Sequence, residues 1–264
     1  MRKSGEFIKY FNPETITVID AGFVDNIDIT FEAVRYGRNK TVRRYFKYTF
    51  YGGGFIMKFL QKLEKREHVE IVCTGDSITQ WCYHTHGLQG YAGMFYDRLM
   101  KKYQTYDVFM FNTGRSGSNT NDLLERLDRD LIRFAPDFAT VMIGMNDAAQ
   151  GEAGLPGFRE RLTAIVEKII NADIEFMLMT QNCLPINLPA VSGASNRAAL
   201  PLYTEVIRDI ASEYNVPLCD VYADFERRMN ESYDSYWFLL DDPFHPNETG
   251  HSAIADLLCK AVEV

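Results

Sequence analysis

The sequence predicts an α/β protein: a five-stranded parallel sheet with helices on both faces, preceded by a β-rich segment over residues 1–54. Three observations predict it. From residue 55 onward, short apolar runs recur without alternation, as strands buried on both faces do. Between them, apolar residues return at steps of three and four, the stripe of an amphipathic helix. Before residue 55 they instead alternate with polar residues, the two-residue period of a strand with one wet face.

In chain order, "TITVID" (15–20) reads as a first strand. In "IDITFEAV", Ile27, Ile29, Phe31 and Ala33 alternate with Asp28, Thr30 and Glu32, and in "VRRYFKYTF" the residues Val42, Phe46, Tyr48 and Phe50 share one parity. The intervening "GRNK" has turn chemistry, so the two runs predict a hairpin. "YGGG" (51–54) marks the boundary between a β-rich extension, 1–54, and a main domain, 55–264.

In the main domain the predicted strands are "VEIVC" (69–73), "DVFMFN" (107–112), "FATVMIG" (138–144), "IEFMLMT" (174–180) and "PLCD" (217–220). Leu123, Leu124, Leu127, Leu131 and Phe134 mark one helical face, and Phe158, Leu162, Ile165, Val166 and Ile169 a second. Ile254, Leu257, Leu258 and Val262 mark the last. No internal repeat or low-complexity tract interrupts this order.

Composition narrows the function classes. At 264 residues, 46% hydrophobic and 24% charged, the chain suits a soluble globular protein with a full-sized core. A net charge of -8 argues against a nucleic-acid partner, whose footprint is clustered Lys and Arg. The first residues, "MRKSGEFIKYFNPE", contain no continuous apolar stretch, so no secretory signal is expected. No run approaches the ~20 apolar residues of a membrane span. Cys73, Cys82, Cys183, Cys219 and Cys259 are scattered and never spaced C-x-x-C, which predicts neither a disulfide framework nor a zinc knuckle. A reduced, cytoplasmic setting is the expectation.

In open parallel sheets ligands bind beyond the carboxyl ends of the strands, and here chemically apt residues gather at those ends. The first strand runs into "GDS", the second into "NTGRSG" and the third into "GMND", while "DDPFHPN" precedes the last helix. Ser77 in "CTGDSITQ" is either a nucleophile or the cap of a helix, because serine oxygens also accept from unpaired helical N–H groups. His245 has the chemistry of a general base. Asp242, three residues earlier in a proline-stiffened loop, can orient it, although the same residues also suit a plain turn. Gly114 and Asn146 can supply oxyanion donors, or serve as a turn glycine and a loop asparagine. Their joint occurrence, in order and at strand ends, favours acyl transfer.

These four blocks resemble the SGNH hydrolases, the GDSL-type esterases and lipases. Ser77 in "GDSIT", Gly114 in "NTGRSG", Asn146 in "GMND" and His245 in "DPFHPN" match the four signature residues, and the resemblance extends over residues 69–264. It implies a flavodoxin-like three-layer α/β/α sandwich and metal-free, cofactor-free ester hydrolysis through an acyl-serine. It also implies an oxyanion hole made by the N–H groups of Ser77 and Gly114 and the amide of Asn146. Residues 1–54 lie outside the family core; they are expected to extend the sheet, cover part of the site or make a homo-oligomer contact.

Rival motifs are missing: the G-x-S-x-G elbow of α/β-hydrolases, a Walker A lysine motif and G-x-G-x-x-G after a strand. "CYHTH" brings Cys82, His84 and His86 to alternating positions, but a structural zinc wants a fourth ligand, so no metal is expected. These residues are instead expected to line or roof the cleft, with His251 at the surface or capping a helix and His68 solvated. The loops 148–157 and 181–200 should shape the pocket. The expected substrate is a small-molecule ester, a short-chain and specifically acetyl O-acyl ester, on a carbohydrate. Lysophospholipase or thioesterase activity is the alternative within enzymes, and a non-hydrolytic carbohydrate-binding or scaffold protein that retains the fold the alternative outside them.

Overall fold

A computed structural model describes residues 27–37, 40–51, 54–55, 57–80, 83–185 and 195–264. These fall into two units that divide between residues 56 and 57.

In the first unit, β1 (Ile27–Gly37) and β2 (Lys40–Tyr51) run antiparallel from Ile27 opposite Phe50 to Gly37 opposite Lys40. The alternation in the sequence sets this register: Ile29 lies opposite Tyr48 and Phe31 opposite Phe46, so positions of the apolar parity meet across the pair. A two-residue strand, β3 (Gly54–Phe55), pairs with the end of β2. The run "TITVID" lies outside the described residues.

The second unit is the α/β sandwich. Its strands are β4 (Val69–Gly75), β5 (Val108–Asn112), β6 (Phe138–Met142), β7 (Glu175–Met179) and β8 (Leu218–Cys219). They form one parallel sheet in the order β5-β4-β6-β7-β8. All five fall on the predicted runs. Every residue of β6 is buried, which is why its sequence carries no alternation.

Nine helices accompany the described strands: α1 (Lys58–Glu64), α2 (Ser77–Gln80), α3 (Tyr91–Tyr103), α4 (Thr120–Asp130), α5 (Leu155–Asn171), α6 (Leu200–Glu213), α7 (Val221–Glu231), α8 (Tyr233–Trp237) and α9 (Glu248–Ala261). The α5 face is the predicted one, with Phe158, Leu162, Ile165, Val166 and Ile169 all fully buried. Each such side chain contributes roughly 1.5–3 kcal/mol by leaving water. α4 starts at a capping box in which Asn119 and Asp122 exchange side chain-to-backbone bonds. Among the described residues no helix is long and apolar enough to cross a membrane.

β4, first of the five in sequence, sits inside the sheet with β5 on one side and β6 on the other. The winding direction therefore reverses at β4, and a crevice opens beyond its carboxyl end. That end leads directly into Ser77.

Candidate active site

The passage from β4 into α2 is built without slack. A Cβ on Gly75 would lie 2.2 Å from the Met142 carbonyl oxygen and 2.4 Å from Thr79 Oγ1, so only glycine lets β4 run this close to β6. Asp76 follows, fully buried, and its Oδ1 accepts the Ile78 N–H at 3.0 Å. The capping role open to Ser77 is thus filled by its neighbour. Ser77 Oγ lies instead 2.8 Å from His245 Nε2. Burial pushes the Asp76 carboxyl up to about 7, against the opposing pull of the Ile78 N–H, the His245 charge and Gln181. Gln181 Nε2 donates to Asp76 Oδ2 at 3.1 Å.

His245 arrives on a loop between α8 and α9 that is closed by its own bonds. Leu240 bridges Pro246, the Asp241 N–H donates to the His245 carbonyl at 2.9 Å, and Asn247 caps α9 through the Gly250 N–H. Asp242 Oδ1 accepts the N–H groups of Phe244 and His245 at 2.7 and 2.9 Å, and its Oδ2 lies 2.8 Å from His245 Nδ1. Burial alone would push Asp242 up, but the His245 and Phe244 bonds hold it down at about 2. An ionised carboxylate on Nδ1 fixes the tautomer with its lone pair on Nε2, facing Ser77. From the segment after β7, Asn182 Nδ2 donates to the Phe244 carbonyl at 3.2 Å and ties this loop to the sheet.

Gly114 follows β5 and packs against the turn after Ser77: a Cβ there would come within 2.5 Å of the Gln80 nitrogen. Its N–H donates to Asn112 Oδ1 at 3.0 Å, and Asn112 Nδ2 donates to the Thr79 carbonyl at 2.7 Å. Asn146 follows β6. One hydrogen of its amide goes to the Ser118 carbonyl at 2.9 Å, while Arg197 Nη2 reaches Oδ1 at 3.3 Å. That guanidinium also lies 4.4 Å from the Phe244 ring centre, linking the Asn146 and His245 blocks.

Two supporting charges escaped the sequence reading. Arg126, buried on the α4 face beside Leu123 and Leu127, donates to the Gly75 carbonyl at 2.7 Å and the Thr113 carbonyl at 2.8 Å. It thereby holds the ends of β4 and β5 together behind the site. A lone arginine inside an apolar helical stripe was the available signal. Asp147, next to Asn146 and fully buried, accepts the Thr120 N–H at the start of α4; burial raises its carboxyl above the ordinary range.

The histidines outside the four blocks are placed as follows. Cys82 lies outside the described residues. His84 and His86 both turn to Asp241, His84 Nδ1 at 3.1 Å from Oδ2 and His86 Nε2 at 2.9 Å from Oδ1. His84, Asp242 and His245 bring possible ligand atoms within 4.8 Å of one another. The two rings, however, are stacked at 3.5 Å with planes 4° apart, so their in-plane lone pairs run parallel instead of converging on one ion. His68 is half-exposed, 2.7 Å from Asp107. Of the two placements expected for His251, at the surface or capping a helix, the first is corrected: it is fully buried, and its Nδ1 accepts the Tyr91 N–H at 3.2 Å. It satisfies an otherwise unpaired donor at the start of α3, and burial lowers its pKa to about 3, which keeps the ring neutral for that task. The stretch 186–194 of the second predicted pocket loop is outside the described residues.

Residues 73–253 match the model of the GDSL-like lipase/acylhydrolase family. An acetylxylan esterase of Geobacillus stearothermophilus is 26% identical over 174 residues, 63% of this chain and 77% of that protein. The thioesterase 1/protease 1/lysophospholipase L1 of Escherichia coli (strain K12) is 28% identical over 152 residues, 58% of this chain and 66% of that protein. Among solved structures, the acetyl xylan esterase AlAXEase superposes with a TM-score of 0.63 over 74% of this chain and 100% of its own, at 23% identity, a likeness of fold. The chain belongs to the GDSL-like lipase/acylhydrolase family and is a carboxylic ester hydrolase.

Proposed function

We propose that the protein removes short acyl groups, acetyl above all, from a carbohydrate ester, with Ser77, His245 and Asp242 as its catalytic residues. One observation carries the reading: the unbroken line from Ser77 Oγ to His245 Nε2 at 2.8 Å and from His245 Nδ1 to Asp242 Oδ2 at 2.8 Å. His245 takes the Ser77 proton as Oγ attacks the ester carbonyl, then returns it to the leaving alcohol. Water, deprotonated by the same imidazole, releases the acid from Ser77. The negative oxygen would be met by the Ser77 N–H at the start of α2, by the second amide hydrogen of Asn146 and by the Gly114 N–H. The last of these leaves Asn112 Oδ1 as the carbonyl arrives.

The leaving alcohol must lie within reach of His245 Nε2. Close to His245, beyond the stacked His84 ring, stands Tyr83, 79% exposed, and His86 and Asp241 are bonded in the same region. An exposed ring next to hydrogen-bonding groups suits a sugar better than a lipid tail, and the acetylxylan esterase relative points the same way. The thioesterase/lysophospholipase relative supports the second reading, a longer acyl chain. The described cysteines are buried and unpaired, in keeping with a reducing, cytoplasmic setting. We also propose that residues 1–54 are an extension separate from the hydrolase domain.

The test is labelling with a fluorophosphonate, followed by rates on p-nitrophenyl esters of increasing chain length and on an acetylated xyloside. Ser77 should carry the label, and acetyl should be the best acyl group. Rates that climb steadily to long chains would move the second reading to the front.

A further inference from the structure

The carboxylates of Asp241 and Asp242 each serve an imidazole. Asp242 bonds Nδ1 of His245 at 2.8 Å, and Asp241 bonds Nδ1 of His84 at 3.1 Å. The two rings lie face to face, centres 3.5 Å apart and planes 4° apart. His84 is mostly buried, its side chain 15% exposed. Its loop meets the histidine loop a second time through His86 Nε2 on the other oxygen of Asp241, at 2.9 Å. Tyr83 braces it edge-on, ring centres 5.0 Å apart. The carboxylate on Nδ1 that orients His245 is thus repeated one ring further out, around His84.

We propose that His84 is a positioning residue: its flat face is the seat on which the His245 ring rests. The inference rests on His245 being the base. Two bonds to Asp242 fix the direction of His245 Nδ1, but they leave the ring free to roll about the line joining the two groups. Rolling moves Nε2 off the Ser77 oxygen, and a misplacement of about 1 Å costs on the order of 100-fold in rate. A parallel ring at van der Waals distance removes that freedom from one side. The same face meets the imidazolium that forms when His245 takes the serine proton, and an aromatic face attracts a cation. The charged and titratable groups around His84 are Asp241, Asp242 and His245 on the histidine loop and His86 and Tyr83 on its own. From α9, His251 is the remaining titratable group near this cluster. Asp241 anchors His84 and so acts on the base through the seat.

The experiment compares His84→Phe, His84→Leu and His84→Ala on p-nitrophenyl acetate. Phenylalanine keeps a flat face and loses the nitrogens; leucine keeps bulk and loses the face. The expected result is a fall in kcat of about 10- to 100-fold in the Leu and Ala variants, with KM within about twofold of wild type. The Phe variant should recover to within about threefold of wild type. If the Ala variant does not fold, the Leu and Phe pair decides. A Phe variant no better than Leu, or Leu and Ala variants within twofold of wild type, overturns the proposal. Ser77→Ala is run alongside: if it stays active, the catalytic assignment itself has failed, whereas an inactive Ser77→Ala with a fully active His84→Leu removes only the role of His84.

Discussion

The strand end that carries Ser77 and the loop that carries His245 meet at one 2.8 Å bond, and different forces hold them. Around Ser77 the constraint is packing: Thr74, Asp76 and Thr79 are fully buried, and Gly75 has no room for a methyl group against β6. Around His245 it is a set of side-chain bonds in a loop that solvent reaches; Asp241 is exposed, and Asp242, Phe244 and His245 are half-buried. The proposed nucleophile is therefore positioned by the fold, and the proposed base by its neighbours. Changes on the first side should act through stability, except at Ser77 itself, and changes on the second side through rate.

The largest expected effect is at the meeting point. Ser77→Ala should lower kcat at least ~1,000-fold, and Asp242→Asn by roughly 100- to 10,000-fold, because an amide no longer enforces the productive tautomer. Both should melt within a few degrees of wild type. An Asp242→Asn enzyme of near-normal rate would break the claim that the loop works through its bonds.

Gly75→Ala should act in the opposite manner. A Cβ 2.2 Å from a backbone oxygen forces β4 and β6 apart, costing about 3 kcal/mol or more, a drop in Tm on the order of 10 °C. Circular-dichroism melting checks this, and an unshifted Tm would mean that the strand end is looser than its packing implies.

A pH series sharpens the comparison. His251 is held neutral with its pKa lowered to about 3. Between about pH 6.5 and 3 the unfolded chain therefore binds the extra proton, and stability is lost as pH falls through that window. His251→Gln, which can still accept the Tyr91 N–H, should flatten the decline in Tm between pH 7 and 5. Asp76 pulls the other way. Its carboxyl is raised to about 7, so its contribution is fully present below about pH 4 and is lost as pH rises toward 7.

The smallest effect should come from Arg197→Ala. Without the guanidinium on Oδ1, the Asn146 amide can turn over, and kcat should fall about three- to tenfold with KM unchanged. A change confined to KM would place Arg197 in substrate binding instead.

Much of this architecture was legible in the residues. The five parallel strands and the buried face of α5 follow from local patterns, since a strand covered on both faces must be apolar throughout and a helix on a sheet must repeat at three and four. The candidate site was legible as a set of residue types at strand ends. Its supports were less so. His251 sits in a polar-looking stretch, yet it shares the inward face of α9 with Ile254, Ala255 and Leu258, a pattern that could have revealed its burial. Nothing local distinguishes Asp76 from Ser77 as the cap, because both oxygens suit the role and the choice falls to whichever group lacks a better partner.

By itself the sequence determined the order of elements, the sheet class and the chemistry available at each strand end, all properties of short segments and their periodicity. Only the tertiary structure decided which groups meet: Ser77 with a histidine 168 positions later, Arg126 with two strand ends, and His84 with the face of His245. Such pairings depend on strand order and on loop closures across the whole sheet, and a hydrogen bond or a ring stack leaves no periodic trace in the residues that make it.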